Sequence, residues 1–220
     1  MNITRSETLI LAVPKGRILE ELVPLLEKAN IFPEKSFFNS EDRKLLFNSN
    51  IKGVQLIRVR SFDAATFVAY GGADMGVVGL DVLMEFNYPE IYSPLDLKIG
   101  KCRLSLARLK KEGKNFNKLW DQIKIATKYP EISRDFFAGK GLNVNCIKMN
   151  GAIELAPSLG LAENIVDLVS TGKTLNANGL VEVEKISDIS SRLVVNRTAF
   201  KTRTNEVSEI LSKFQEALNG

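Results

Sequence analysis

The stretch Met149 to Leu180, MNGAIELAPSLGLAENIVDLVSTGKTLNANGL, decides how the chain is read. Its centre is DLVSTGKT, Asp167 to Thr174. Ile165 and Val166, with Leu168 and Val169, form an apolar run that predicts a short buried strand leading into a loop. Phosphate oxygens need backbone N–H groups, hydroxyl donors and positive charge, and Ser170, Thr171, Gly172, Lys173 and Thr174 supply all three. Leu175 and an Asn-Ala-Asn-Gly stretch follow as a turn-rich exit.

The spacing nearly matches the nucleotide loop GxxxxGK[ST], with Gly172, Lys173 and Thr174 at its last three positions. The first glycine of that pattern is replaced by Asp167. An ionised aspartate there repels a di- or triphosphate, but it accepts hydrogen bonds from vicinal ribose hydroxyls. The loop therefore suits a ribose 5-phosphate better than a nucleotide polyphosphate. An ordinary strand and polar turn is the plain alternative for this segment taken alone.

The rest of the chain alternates strand and helix patterns. Thr8–Val13 reads as a buried parallel strand, followed by Pro14, Lys15, Gly16 and Arg17 and then a helical pattern from Ile18. Pro24 falls inside that pattern and argues against an unbroken helix. Two cations and a glycine at the carboxyl end of a strand, before a helix, occupy the usual ligand position of open α/β sheets. Arg43 and Lys44 lie in a polar loop before a short strand at Leu45–Phe47. Gly53–Arg60 is another strand, and Ser61-Phe62-Asp63 caps a helix from Ala64 to about Tyr70. Ala73–Leu80 is a buried strand, Asp81 starts a helix, and Pro89 and Pro94 mark a loop.

Leu95–Arg108 turns to alternation and predicts one long strand crossing between two domains. Lys110–Lys118 is a charged junction, and Trp120 sits at the edge of the next unit. Strands at Ile123–Ala126 and Asn143–Met149 flank a helix from Glu131 to Ala138. Glu182–Asn196 reads as a strand returning to the first domain, and Asn205–Leu218 as an amphipathic helix. One crossing out and one back give two α/β lobes, residues 1–103 with 188–220 and residues 104–187, with a cleft suited to a small anionic ligand.

Composition narrows the chemistry. The 220 residues carry a net charge of +4 and 45% hydrophobic content, values that are ordinary for a soluble globular chain. No basic run suggests nucleic acid, and no segment reads as a signal peptide or membrane span. Cys102 and Cys146 are too few for a zinc site or a disulfide framework, so a reducing, cytoplasmic compartment is expected. The chain has no histidine, which removes the Ser-His-Asp triad, imidazole bases and most catalytic zinc sites.

With those residues in view, the chain resembles the ATP phosphoribosyltransferase family in its short form. LAVPKGRI (Leu11 to Ile18), VRSFDAATFVAYGGADMGVVGLDVL (Val59 to Leu83), IATKYPEISRDFF (Ile125 to Phe137) and Asn150 to Leu180 carry the resemblance. It implies a two-lobed fold like type II periplasmic binding proteins. It also implies Mg2+-dependent transfer of phosphoribosyl from phosphoribosyl pyrophosphate (PRPP) to N1 of ATP, the first step of histidine biosynthesis. Asp167 would bind the ribose hydroxyls, Ser170 to Thr174 the 5-phosphate, and Glu154 the ribose or its magnesium. Lys15, Arg17 and Arg43 would receive ATP phosphates and the leaving pyrophosphate, with Arg17 and Arg43 catalytic. Arg60, Asp74 and Tyr129 would line the ATP side. The Mg2+ would arrive on PRPP or ATP, with no dedicated protein site. The short form also implies a regulatory subunit resembling histidyl-tRNA synthetase, in a hetero-octamer. The rival readings from the residues are a solute- or phosphate-binding protein and a P-loop-like NTPase.

Overall fold

The computed structural model describes residues 8–39, 41–110 and 123–220. The chain divides into two compact units, Met1–Leu83 with Asn87–Gly100 and Ser190–Gly220, and Met84–Phe86 with Lys101–Ile189. The expected charged junction beyond Lys110 and the expected edge residue Trp120 lie outside the described residues.

In the first stretch of chain, β1 (Leu9–Pro14) leads to α1 (Arg17–Lys28), β2 (Leu46–Asn48), β3 (Val54–Val59) and α2 (Ser61–Ala69). β4 (Met75–Gly79), α3 (Leu80–Phe86) and β5 (Ile91–Asp96) follow. The middle stretch holds β6 (Cys102–Leu109), β7 (Ile123–Thr127), α4 (Pro130–Ala138), β8 (Val144–Lys148), β9 (Asn164–Val169), α5 (Lys173–Ala177) and β10 (Leu180–Ile189). The chain ends through β11 (Ser191–Asn196), α6 (Arg197–Thr202) and α7 (Thr204–Asn219).

The first unit is a mixed sheet in the order β2-β3-β1-β4-β11-β5, with β1 parallel to both β3 and β4. Leu9, Leu11 and Val13 alternate onto one face, where they join Leu22, Leu25 and Leu26 of α1 and Val207, Ile210 and Phe214 of α7. Burying each such side chain stabilises by about 1.5–3 kcal/mol, so the amphipathic stripe of α7 is what docks it. The second unit is a sheet in the order β10-β6-β9-β7-β8. β6 runs antiparallel to β9 and β10, whereas β7 is parallel to β8 and β9. Ile165, Val169, Leu175 and Leu180 share its core with Ile153.

Several local expectations are corrected. α1 runs unbroken through Pro24. Pro24 and Glu20 are both exposed, so the Glu20 carbonyl that loses its helical donor faces water. α2 begins at Ser61, with Arg60 as its N-cap and Asp63 inside its first turn. Pro94 lies within β5, which stands at the sheet edge where a proline costs no central ladder bond. The predicted long strand from Leu95 is two strands, β5 and β6, belonging to different sheets. Between them Lys98 and Gly100 both take left-handed dihedrals. The return strand is likewise β10 and β11, one in each sheet.

Candidate functional site

In the first unit the parallel register pairs Pro14 with Val59, so β1 and β3 end side by side. The Lys15 N–H donates to the Val59 carbonyl at 2.9 Å and extends the ladder by one residue. Gly16 then turns the chain into α1 at φ 81°, ψ −148°, a region that is essentially glycine's own. Arg17 opens the helix and makes a surface ion pair with Glu21 at 3.5 Å, a weak tie that a phosphate can displace. Arg60 follows the last residue of β3. Lys15, Arg17 and Arg60 are all exposed.

Arg43 reaches the same end of the sheet by another route. β2 is antiparallel to β3 with Leu46 opposite Ile57, which sets the loop before β2 beside the carboxyl end of β3. Arg58, only 4% exposed, holds that loop. Its guanidinium donates to the carbonyls of Phe37, Asn39 and Asp42 at 2.6, 2.7 and 2.8 Å, and its Cζ lies 5.1 Å from the Phe47 ring centroid. The planar fork serves carbonyls in different directions, which a lysine ammonium on a flexible stem does not reproduce. Lys15, Arg17, Arg43 and Arg60 thus gather at one end of this unit's sheet, an arrangement fit for polyanionic groups.

Asp74, expected on the same side, does not join them. Asp74 stands at the amino end of β4, where its Oδ2 accepts the Ile10 N–H at 2.8 Å and its Oδ1 lies 3.8 Å from Arg203 Nε. That is the opposite end of β1 from Lys15, so Asp74 braces the strand. Tyr129 belongs to the second unit and is 2% exposed. Its N–H donates to Thr127 Oγ1 and its carbonyl accepts from Ser133, so it serves as the buried N-cap of α4 and not as an exposed wall residue.

The second unit carries the loop expected to bind phosphate. Asp167 lies on β9, and its Oδ1 accepts the Leu168 N–H at 2.8 Å. After Val169 the chain leaves the sheet as the exposed pair Ser170–Thr171, and Gly172 caps α5 at φ 75°, ψ 0°. A helix start leaves its first N–H groups without helical acceptors, so the amides of Lys173, Thr174 and Leu175 continue the donors of the preceding tip. The Lys173 N–H reaches back to Thr171 Oγ1 only at a long 3.4 Å. The Lys173 and Thr174 side chains are exposed beside it. Glu154 sits on a 3-10 turn (Ile153–Leu155) whose Ile153 packs with Ile165 and Val169 of β9, placing the acid next to the strand that carries Asp167.

Three residues of this region were not legible from the sequence. Ser105 pairs with Asp167 and Arg103 with Val169 across β6 and β9. Arg103 donates Nε and Nη2 to the Glu182 carboxylate at 2.6 and 2.5 Å, and Nη1 to the Ser170 carbonyl at 3.1 Å. Ser105 Oγ, fully buried, donates to the same carboxylate at 2.8 Å. Hydrogen bonds from Arg103 hold the Glu182 carboxyl below the usual carboxylate range. Alternation along β6 hints at a shared face, but only the register shows what faces it. Arg58 escaped in the same way, because its acceptors are loop carbonyls.

The description "HisG: ATP phosphoribosyltransferase" belongs to the family model that matches residues 60–216. The ATP phosphoribosyltransferase of Rhodospirillum rubrum is 55% identical over 213 residues, covering 96% of this chain and 94% of that protein. That of Paramagnetospirillum magneticum is 53% identical, with 97% and 98% covered. Among solved structures, the ATP phosphoribosyl transferase (HisG:HisZ) complex from Thermotoga maritima superposes with a TM-score of 0.82 at 32% identity, covering 96% of this chain and 99% of that one. The periplasmic aliphatic sulphonate binding protein SsuA from Escherichia coli superposes at 0.59 with 12% identity, covering 96% and 68%. The second likeness is one of fold alone, the two-lobed α/β architecture of type II periplasmic binding proteins. The family model spans the Asp167–Thr174 segment, the relatives match nearly the whole chain, and the chain belongs to the ATP phosphoribosyltransferase family.

Proposed function

We infer that this chain transfers the phosphoribosyl group of PRPP to N1 of ATP, giving phosphoribosyl-ATP and pyrophosphate in the first step of histidine biosynthesis. The observation that carries the reading is the Asp167–Thr174 loop, a carboxylate on a strand followed at once by exposed amides and hydroxyls at a helix start. Asp167 accepts the ribose hydroxyls, Glu154 steadies the sugar, and Ser170, Thr171, Gly172, Lys173 and Thr174 take the 5-phosphate. Lys15, Arg17, Arg43 and Arg60 take ATP phosphates and the departing pyrophosphate, with Arg17 and Arg43 acting on the leaving group. The first unit is thus the ATP side and the second the PRPP side.

The chemistry suits a chain without histidine. The N1 lone pair of adenine bonds to the anomeric carbon as its bond to pyrophosphate oxygen breaks, so no general base is essential. The main catalytic term is electrostatic stabilisation of the departing pyrophosphate by the fixed cations. Among the described residues no group of three or more His, Cys, Asp or Glu side chains could hold a metal ion. Mg2+ would arrive on the substrate's phosphate oxygens, and Asp167 and Glu154 are the carboxylates this reading offers to the sugar. When bound, Mg2+ would supply positive charge to the pyrophosphate oxygens.

We further propose that this chain assembles with a regulatory subunit resembling histidyl-tRNA synthetase, as a hetero-octamer. Support comes from the related HisG:HisZ complex. The cytoplasm, with its ATP and reducing conditions for the free thiols Cys102 and Cys146, is the compartment this reading implies. No helix of the described residues is long and apolar enough to cross a membrane.

Incubation with ATP, PRPP and Mg2+ tests the reaction. The expected product absorbs at the long-wavelength edge of adenine and appears with pyrophosphate. Release of ADP and orthophosphate, or binding without turnover, refutes the transfer. Asp167→Ala should weaken PRPP binding strongly, and Arg43→Ala should lower turnover far more than PRPP affinity. Unchanged PRPP affinity removes Asp167 from the ribose site, and equal losses in both constants make Arg43 a simple binding residue.

A further inference from the structure

We propose that Arg103, locked by Glu182, is a positioning residue that aims the phosphate loop at the 5-phosphate of PRPP. The inference rests on the reading of that loop given above. A peptide unit is planar and trans, so the carbonyl of one residue and the N–H of the next point in opposite directions. Arg103 Nη1 holds the Ser170 carbonyl at 3.1 Å. Fixing that carbonyl toward β6 turns the Thr171 N–H the other way, out to the exposed side of the tip. The Thr171 amide is the first of the run of donors that continues through Gly172 into α5.

The guanidinium can do this because its other edge is spoken for. Glu182 accepts from Nε and Nη2 in the bidentate geometry that suits arginine, and the buried Ser105 hydroxyl fixes Glu182 in turn. The Arg103 and Glu182 side chains are about two-thirds and three-quarters covered, with 32% and 26% of their surfaces exposed. Ser105 is also the register partner of Asp167. The chain of contacts Ser105–Glu182–Arg103–Ser170 therefore ties the loop's first peptide to β6 and β10, and β6 is the strand that pairs with β9, which carries Asp167. An arginine paired only for stability would not need its third donor on the loop.

The test compares the full chain with Arg103→Met and with the charge-neutral pair Arg103→Met/Glu182→Gln. PRPP binding in the presence of Mg2+ is measured by calorimetry without ATP, and Michaelis constants are measured for both substrates. Both variants should lose about ten- to a hundredfold in PRPP affinity, the range for a hydrogen bond to a charged group, while the KM for ATP moves less than about twofold. If Arg103→Met fails to fold because Glu182 is left unpaired, the neutral pair decides. PRPP affinity within twofold of wild type in the folded neutral pair overturns the proposal. An equal rise in both Michaelis constants, the mark of general loosening, overturns it too. Wild-type chain that binds PRPP but forms no phosphoribosyl-ATP refutes the transfer reaction alone, since calorimetry still decides the role of Arg103. Wild-type chain that does not bind PRPP refutes both.

Discussion

Gly172 offers the cleanest test of the loop's geometry. It holds φ 75°, ψ 0° as the N-cap of α5. A Cβ added there would meet only Val169 Cγ1, at 4.0 Å. Space is therefore no obstacle, and the whole cost of Gly172→Ala is the left-handed backbone, about 1–2 kcal/mol for a residue with a Cβ. That cost must appear in one of two places. If the loop keeps its shape, the protein loses stability by that amount, about 2 to 8 °C in Tm for a chain of this size. If the loop relaxes, the donors leave their positions and PRPP affinity falls about 5- to 30-fold. Thermal unfolding and PRPP calorimetry on the same preparations measure both, and the two losses should sum to the single backbone cost. Gly172→Asn, which tolerates left-handed dihedrals, should lose less than Gly172→Ala by either measure. An alanine variant unchanged in both, or an asparagine variant as damaged as alanine, refutes the conformational account.

Arg58→Met should destabilise the protein by about 2–4 kcal/mol, because it strands the carbonyls of Phe37, Asn39 and Asp42. It should also lower turnover in the direction of Arg43→Ala, and Arg58→Lys should not restore it; denaturant unfolding and steady-state rates check this, and lost stability with intact turnover separates Arg58 from Arg43. The Arg103–Glu182 pair should show in the pH dependence of stability. Arg103 depresses the folded-state pKa of Glu182, so the carboxylate's contribution is full above its unfolded value, about pH 4–5, and is lost as pH falls through the lowered folded value. The stability advantage of wild type over Glu182→Gln should shrink as pH is lowered from about 5 toward 3. A difference that stays constant over that range refutes the linkage.

Contiguous chemistry was the most legible part of this chain. The strand–loop–helix units at Leu9–Lys28 and Asn164–Ala177 announce themselves because apolar runs, glycines, hydroxyls and cations stand next to one another, and local sterics turn that order into local structure. Where proline was read as a breaker, the outcome depended on its surroundings. Pro24 survives inside α1 because its side of the helix is wet, and Pro94 inside β5 because the strand is an edge. The alternating stretches at Leu95–Arg108 and Glu182–Asn196 each proved to be parts of two strands in different sheets. Alternation reports a pleat but not which sheet receives it.

Residue roles divided along the same line. The sequence by itself brought together the groups proposed for the sugar phosphate, since Asp167 to Thr174 are contiguous from the end of β9 into α5, and it also placed Lys15 and Arg17 at a strand's carboxyl end. It could not tell that Asp74 lies at the other end of that sheet, that Tyr129 is buried as a helix cap, or that Arg58 holds the loop of Arg43. Nor could it join Arg103 to Glu182, 79 positions away. Those assignments depend on strand register and on which buried polar groups must find partners. Both are settled only when distant segments pack together, because a hydrogen bond between remote residues leaves no periodic trace in either one's neighbours.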